Sequence, residues 1–263
     1  MTRAAHALAL ALAALPMTAL AQTVVVYAAG SLRAPLTAIA SEFESTRPNK
    51  VSTTFGASGL LRDRIVGGEN ADVFASANME HPQSLTAKGW SAKTVPFARN
   101  ELCILASRRV PVTSVNALDV MLDPQWKLGT STPKADPSGD YAWEVFRRAD
   151  ALRPGAFATL EAKARTLTGG PQSPAPPTDR NVYAMLVASG EADLFLTYCT
   201  NARQATEEAP GLVMVSLPDA LRVGATYGLA VRAGAAPAAQ AFADFVTSSA
   251  GQRTLARFGF ASP

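Results

Sequence analysis

The chain has 263 residues, of which 48% are hydrophobic and 17% charged, and its formal net charge is +3. That length buries a sizeable core in one large or two modest domains, and the composition is ordinary for a soluble globular protein. No basic run exceeds Arg108-Arg109 or Arg147-Arg148, which argues against nucleic acid as a partner.

Residues 1–21 read as a signal peptide. Arg3 makes a positive start, Ala7 to Leu15 an apolar middle, and Ala19-Leu20-Ala21 a small-residue cleavage site. The mature chain is expected to begin near Gln22, in the periplasm. A membrane anchor fits less well, because the apolar run is short and broken by Pro16. No later segment is apolar enough to span a bilayer.

The next stretch, VVVYAAGSLRAPLTAIASEF at 24–43, sets the pattern for the chain. Val24, Val25 and Val26 predict a strand, and Ala28-Ala29-Gly30 a turn. Ser31 stands where a helix cap would. Leu32, Leu36, Ile39, Ala40 and Phe43 recur at helical spacing, with Pro35 in the first turns. A strand, a glycine turn and a helix start aim unpaired N–H groups and a hydroxyl at one place, which suits an anion. An ordinary capped turn has the same sequence.

The design repeats. Val51 to Phe55 predicts a strand, Gly56-Ala57-Ser58-Gly59 a turn, and Leu60 to Val66 a helix closed by Gly67-Gly68. Ala71 to Ser76 predicts a strand and 79–88 a helix. This βαβαβα order implies a parallel sheet with right-handed crossovers, whose ligands sit beyond the carboxyl ends of the strands. Residues 95–106 predict a longer strand, 115–122 a short helix and 127–130 a short strand. The loop 132–140 opens a helix from Tyr141 to Ala149, again with a serine, Ser138, at its start. Residues 156–166 are helical in composition.

Residues 169–178, GGPQSPAPPT, form a stiff exposed loop too short to link two domains. Thr178 or Asp179 would cap a helix from Arg180 to Ala188. Asp193 to Tyr198, 212–217 and 223–231 predict strands, and the tail, 238–246 and 251–258, two helices. Cys103 and Cys199 lie in strand-like runs, LCIL and FLTYC. In an oxidising compartment they form a candidate pair, and two buried thiols fit equally. His81 is the only histidine of the mature chain, in an exposed-looking Glu80-His81-Pro82, and there is no C-x-x-C, so no zinc pattern exists.

Helices therefore open near Ser31, Ser58, Ser138 and Arg180. If they converge, their partial positive charges offset a dianion without a lysine or arginine. Neutral donors also avoid the desolvation cost of a buried ion pair.

The segments VVVYAAGSL at 24–32, FGASGLL at 55–61, ADVFASA at 71–77, PSGDYA at 137–142, LVASGEADLFLTY at 186–198 and GQRTLARFGF at 251–260, in this order and spacing, resemble the periplasmic molybdate-binding proteins of ABC importers. The resemblance spans roughly residues 23–260. It implies an α/β, type II periplasmic-binding-protein fold with two lobes joined by two hinge strands: 22–98 plus 223–263, and 99–222. It implies capture of molybdate or tungstate between the lobes, delivery to a membrane permease, no cofactor, no catalysis and a monomer. The metal arrives as its oxyanion, and no residue is assigned to a bare ion. By position, the family's oxyanion contacts fall on the hydroxyls of Ser31 and Ser58, the backbone N–H of Ser138, the hydroxyl of Tyr198, and the chain on or next to Arg180. The family usually has a small apolar residue at the last position, and its loop before that helix is shorter. Asp140 would repel an anion and is expected to face solvent or a lysine or arginine.

Three other readings compete. Sulfate or phosphate would suit the same donors, with pocket volume deciding. A serine hydrolase would need a base, and only His81 is available; 56–59 is G-A-S-G, which is not a G-x-S-x-G elbow. An iron binder could use Tyr27, Tyr198 and Tyr227, although no two tyrosines are adjacent.

Overall fold

Alternating strands and helices run from the first described residue. The computed structural model describes residues 22–177 and 179–263. The expected signal peptide, and Thr178 as a cap, lie outside the described residues. In chain order the elements are β1 (Thr23–Ala29), α1 (Arg33–Ser45), β2 (Lys50–Gly56), α2 (Ser58–Val66), β3 (Val73–Ser76), α3 (Glu80–Ala87) and β4 (Ser91–Ser107). Then come α4 (Ala117–Leu122), β5 (Leu128–Ser131), α5 (Pro137–Leu152), α6 (Ala156–Lys163), β6 (Arg165–Thr168), α7 (Val182–Ala188) and β7 (Leu194–Tyr198). The chain ends with α8 (Cys199–Glu208), β8 (Leu212–Ser216), β9 (Gly224–Arg232), α9 (Pro237–Thr247) and α10 (Ser249–Arg257).

The strands pair in the order β2-β1-β3-β9-β4-β7-β5-β6, with β8 against β4. β1 lies parallel to both β2 and β3, as the βαβ pattern requires. The sheet is mixed rather than wholly parallel. β9 returns from late in the chain and runs antiparallel to β3 and to β4. A late return is invisible to local periodicity, which sees only neighbouring elements.

β4 belongs to two halves. Ser91 to Glu101 pair with β9, whereas Leu102 to Ala106 pair with β7 and Cys103 to Ser107 with β8. The chain crosses a second time just before β9, where the Leu102 N–H donates to the Val223 carbonyl at 3.1 Å. The result is a two-lobe, type II periplasmic-binding-protein architecture with strand connections between the lobes. β5 lies parallel to β7 and β6 in the second lobe.

Burial follows the spacing in the sequence. α1 turns Pro35, Leu36, Ile39, Ala40 and Phe43 inward. Phe43 meets Phe242 of α9 edge to face at 5.3 Å between ring centres. Each such fully buried side chain contributes about 1.5–3 kcal/mol relative to exposure. α5 buries Ala142, Val145, Phe146 and Ala149 at the same spacing. Among the described residues, no helix is long and apolar enough to cross a membrane.

Cys103 of β4 and Cys199, the first residue of α8, form a disulfide with Cα atoms 4.8 Å apart. It closes a loop of 96 residues and is packed in a small apolar cluster with Leu105, Phe195 and Ala202. The sequence reading omits β6 and α8. β6 begins at the end of the run 156–166 taken as helix and extends past it, while α6 itself stops at Lys163. α8, CTNARQATEE, is polar and carries few apolar positions to betray it.

Candidate functional site

The carboxyl ends of β1, β2, β3 and β7 open on one cavity of about 510 Å³ between the lobes. Ser31, Ser58, Ala77, Asp136, Asn181 and Tyr198 are among its lining residues, together with Arg180. Ser31, Ser58 and Tyr198, far apart in the chain, thus share one cleft.

Ser31 does not cap α1. It sits in a 3-10 turn, Gly30–Leu32, that leads into the helix. Its Oγ lies 2.9 Å from the Tyr227 hydroxyl, which also accepts from Asn100 Nδ2 at 3.4 Å. Either oxygen can donate in the Ser31–Tyr227 pair, and Ser31 Oγ keeps hydrogen-bonding capacity toward the cleft beyond that one contact. Burial raises the Tyr227 pKa far above the ordinary tyrosine range, so this phenol stays protonated.

Ser58 reaches the cleft by another route. It is the first residue of α2, where N–H groups have no carbonyl partner in their own helix. Its Oγ accepts the Ala77 N–H at 3.1 Å, which occupies the acceptor side and leaves the hydroxyl proton to donate. Tyr198 closes the group from the second lobe: its hydroxyl lies 3.4 Å from the Ala77 carbonyl, and its ring centre 5.6 Å from that of Tyr227. Burial, first of all, raises the Tyr198 pKa and keeps it a neutral donor.

The lobes touch beside Ser58. The Gly59 N–H donates to the Ala135 carbonyl at 2.9 Å. A Cβ at position 59 would stand 2.5 Å from the Lys134 carbonyl oxygen and 2.7 Å from that of Ala135, so only glycine permits this approach.

Ser138 departs from expectation. Its N–H is already accepted by Asp136 Oδ1 at 3.0 Å, and Asp136 is the N-cap of α5. The Ser138 side chain is fully buried, and its Oγ has no hydrogen-bond partner among the described residues. The donor expected to face an anion therefore faces a carboxylate of its own chain. Burial raises the Asp136 pKa to about 6; the Ser138 N–H and the Ser131 hydroxyl oppose the rise, and Asp140 adds to it.

The fourth helix start is likewise occupied. α7 begins at Val182, later than expected, and Asn181 rather than Asp179 caps it. Asn181 Oδ1 accepts from the Tyr183 and Ala184 N–H groups, both at 3.0 Å. Arg180 lies before the helix, exposed at the cleft edge, with Nε 3.7 Å from Glu208 Oε1. An S/T/D/N residue two before each first-turn donor is the signal that identifies these caps. Asp136-Pro137-Ser138 and Asn181-Val182-Tyr183 both carry it.

The remaining expectations fall out as follows. Asp140 accepts the Lys134 backbone N–H at 2.8 Å, not a basic side chain. His81 is buried, not exposed; its Nδ1 is 3.3 Å from Arg62, and burial, then the Arg62 charge, lower its pKa to about 4. Tyr27 pairs with Glu69 and Arg64, away from the cleft. Among the described residues, no group of three or more His, Cys, Asp or Glu could hold a metal ion.

The family model for bacterial extracellular solute-binding proteins matches residues 24–261. An uncharacterized protein of Pasteurella multocida, PM1146, is 37% identical over 236 residues, covering 89% of this chain and 97% of that one. The molybdate-binding protein ModA of Mycobacterium tuberculosis is 29% identical over 249 residues, covering 92% of this chain and 86% of that one. Among solved structures, the periplasmic molybdate-binding protein of Azotobacter vinelandii superposes with a TM-score of 0.73 at 19% identity, covering 91% of this chain and 99% of that one.

Proposed function

The chain belongs to the bacterial extracellular solute-binding proteins, and from that premise we propose that it captures a small tetrahedral oxyanion, molybdate or tungstate, between its lobes. It then delivers the anion to the permease of an ABC importer. The observation that carries this reading is the pair Ser31 and Ser58. Both line the cleft: Ser58 Oγ accepts the Ala77 N–H and so has its own proton to offer, and Ser31 Oγ shares one hydrogen bond with the Tyr227 hydroxyl and keeps capacity toward the cleft. A tetrahedral oxyanion has acceptors and no donors, and this chemistry matches it.

Closure follows from the same contacts. The anion bridges donors on both lobes and favours the arrangement in which Gly59 meets Ala135. The moving bodies are 22–98 with 223–263, and 99–222; the change of partners along β4 between Glu101 and Cys103 supports that division. The mature protein acts in the periplasm as a monomer, without a cofactor. Transport rather than catalysis is the role read here: a serine nucleophile needs a base, and His81, the one histidine described, is held against Arg62.

Titration calorimetry with molybdate, tungstate, sulfate and phosphate tests the reading. Tight binding of molybdate and tungstate, with sulfate weaker, is expected. Sulfate binding tighter than molybdate would move the assignment to the smaller anion, and no binding of any of the four would remove it.

A further inference from the structure

We propose that Asp136 shares one proton with the bound anion, so that the protein takes up a dianion together with a proton from solvent. The proposal rests on the oxyanion reading above and adds a pH dependence to it: molybdate or tungstate is held with one proton that it shares with Asp136.

The geometry fixes the carboxylate in place. Asp136 lines the same cavity as Ser31 and Ser58. Its Oδ1 is tied to the Ser138 N–H at 3.0 Å. Ala135, the residue before it, is bound through its carbonyl to Gly59, next to Ser58. Behind it stands Gly169, with a φ of +78°, where a Cβ would be 2.6 Å from Asp136 Oδ2. Asp136 is thus wedged from three sides and is not able to swing away from the cavity without opening these contacts.

No cation compensates it. On its own helix the nearest charge is Asp140, of the same sign, whose carboxylate is bound to the Lys134 backbone N–H. From α7, from the end of β7 and from β9 the titratable groups that face it are Tyr183, Tyr198 and Tyr227, all kept neutral by burial. Of the two arginines lining the cavity, Arg180 is turned to Glu208 and Arg33 stacks over Phe55 at 4.9 Å. A carboxylate offers about four acceptor positions, and the Ser138 N–H and the Ser131 hydroxyl occupy at most two of them. A dianion placed in the same cavity adds a second body made only of acceptors. Two such groups in a poorly solvated space repel, and one proton between them turns repulsion into a hydrogen bond. The raised affinity of Asp136 for a proton, caused chiefly by burial, lies in the same direction.

Asparagine caps helices as well as aspartate does, so Asp136→Asn keeps the cap on α5 while removing the acidic site. Calorimetry of sulfate and molybdate at about pH 7.5, in two buffers with different heats of ionisation, counts the protons taken up. Wild type is expected to take up close to one proton per anion, and its affinity to fall about tenfold per pH unit above neutrality. Asp136→Asn is expected to take up none, to lose the pH dependence, and to bind both anions about tenfold more tightly or better at pH 8. Phosphate, which brings its own proton, is expected to show less uptake in wild type. Binding without proton uptake in wild type, or equal uptake in both proteins, overturns this proposal alone. Failure of every oxyanion to bind either protein at any pH between 5.5 and 8.5 overturns the oxyanion reading and this proposal with it.

Discussion

The two faces of the cleft are built on opposite plans. The face at the ends of β1, β2 and β3 presents two serine hydroxyls, Ser31 paired with the Tyr227 hydroxyl and Ser58 accepting the Ala77 N–H. The face at the ends of β5 and β7 presents a carboxylate, an amide and a phenol, and its two helix starts are filled by Asp136 and Asn181. A helix N-terminus is therefore an anion site only when its own chain leaves the donors open. The starts at Ser138 and Arg180 do not meet that condition, and at Ser58 the Gly59 N–H is itself spent on the Ala135 carbonyl, so the first face relies on its hydroxyls. On the reading proposed above, the first face supplies attraction, and the second supplies the closing contact and a carboxylate that shares a proton with the anion.

The largest change that would break this contrast is removal of the disulfide. The Cys103→Ser, Cys199→Ser double variant is expected to lose up to about 4–5 kcal/mol of unfolding free energy in urea, the chain-entropy value for a loop of this length. The damage should centre on the second lobe, where α8 starts beside Tyr198. A loss below about 1 kcal/mol would mean that packing alone holds that face.

Next in size is Ser58→Ala, which deletes a hydroxyl of the attracting face. Affinity for molybdate should weaken by about 1–3 kcal/mol, the usual range for a hydrogen bond to a charged group. Unchanged affinity in calorimetry would take Ser58 out of the site. The unfolding midpoint should be followed in parallel, because the variant also strands the buried Ala77 N–H.

The second face has a pH signature even without a solute. The folded protein holds the Asp136 proton to about pH 6, whereas the unfolded chain releases it in the ordinary carboxylate range, near 3.8. The folded state therefore binds the proton more strongly, and this group's contribution falls as pH rises from about 4 to about 6. Thermal melts of wild type against Asp136→Asn should show a stability gap that widens in wild type's disfavour across that window. A constant gap would separate Asp136 from the effect. The smallest change expected is that of Arg180→Ala. An exposed pair of this kind is worth about 0–1 kcal/mol, and affinity should be nearly unaltered and equally insensitive to salt. A large, salt-dependent loss would make the guanidinium part of the binding face.

Much of the first face is legible in the sequence, because its information is local. A strand of β-branched residues, a small-residue turn and an apolar stripe at helical spacing place Ser31 and Ser58 without further context. The second face is less legible because it is decided by competition for the same donors. Asp136 is two residues from Ser138 and was part of the loop, yet only the folded geometry shows its carboxylate occupying the Ser138 N–H. Asn181 displaces Asp179 as cap for the same reason. Tyr227 is recognised as a partner of Ser31 only once β9 has returned beside β3 and β4, a pairing across 196 residues. β6 and α8 escape a periodicity reading because one is four residues long and the other has a mostly polar surface.

The most direct test of the clamp is a crystal of the protein grown with tungstate, using the anomalous scattering of tungsten to place the anion. The expected result is one strong peak in the cavity between the lobes, with anion oxygens about 3 Å or less from the hydroxyls of Ser31 and Ser58. A tungsten peak elsewhere, with both serines turned away from it, would contradict the account.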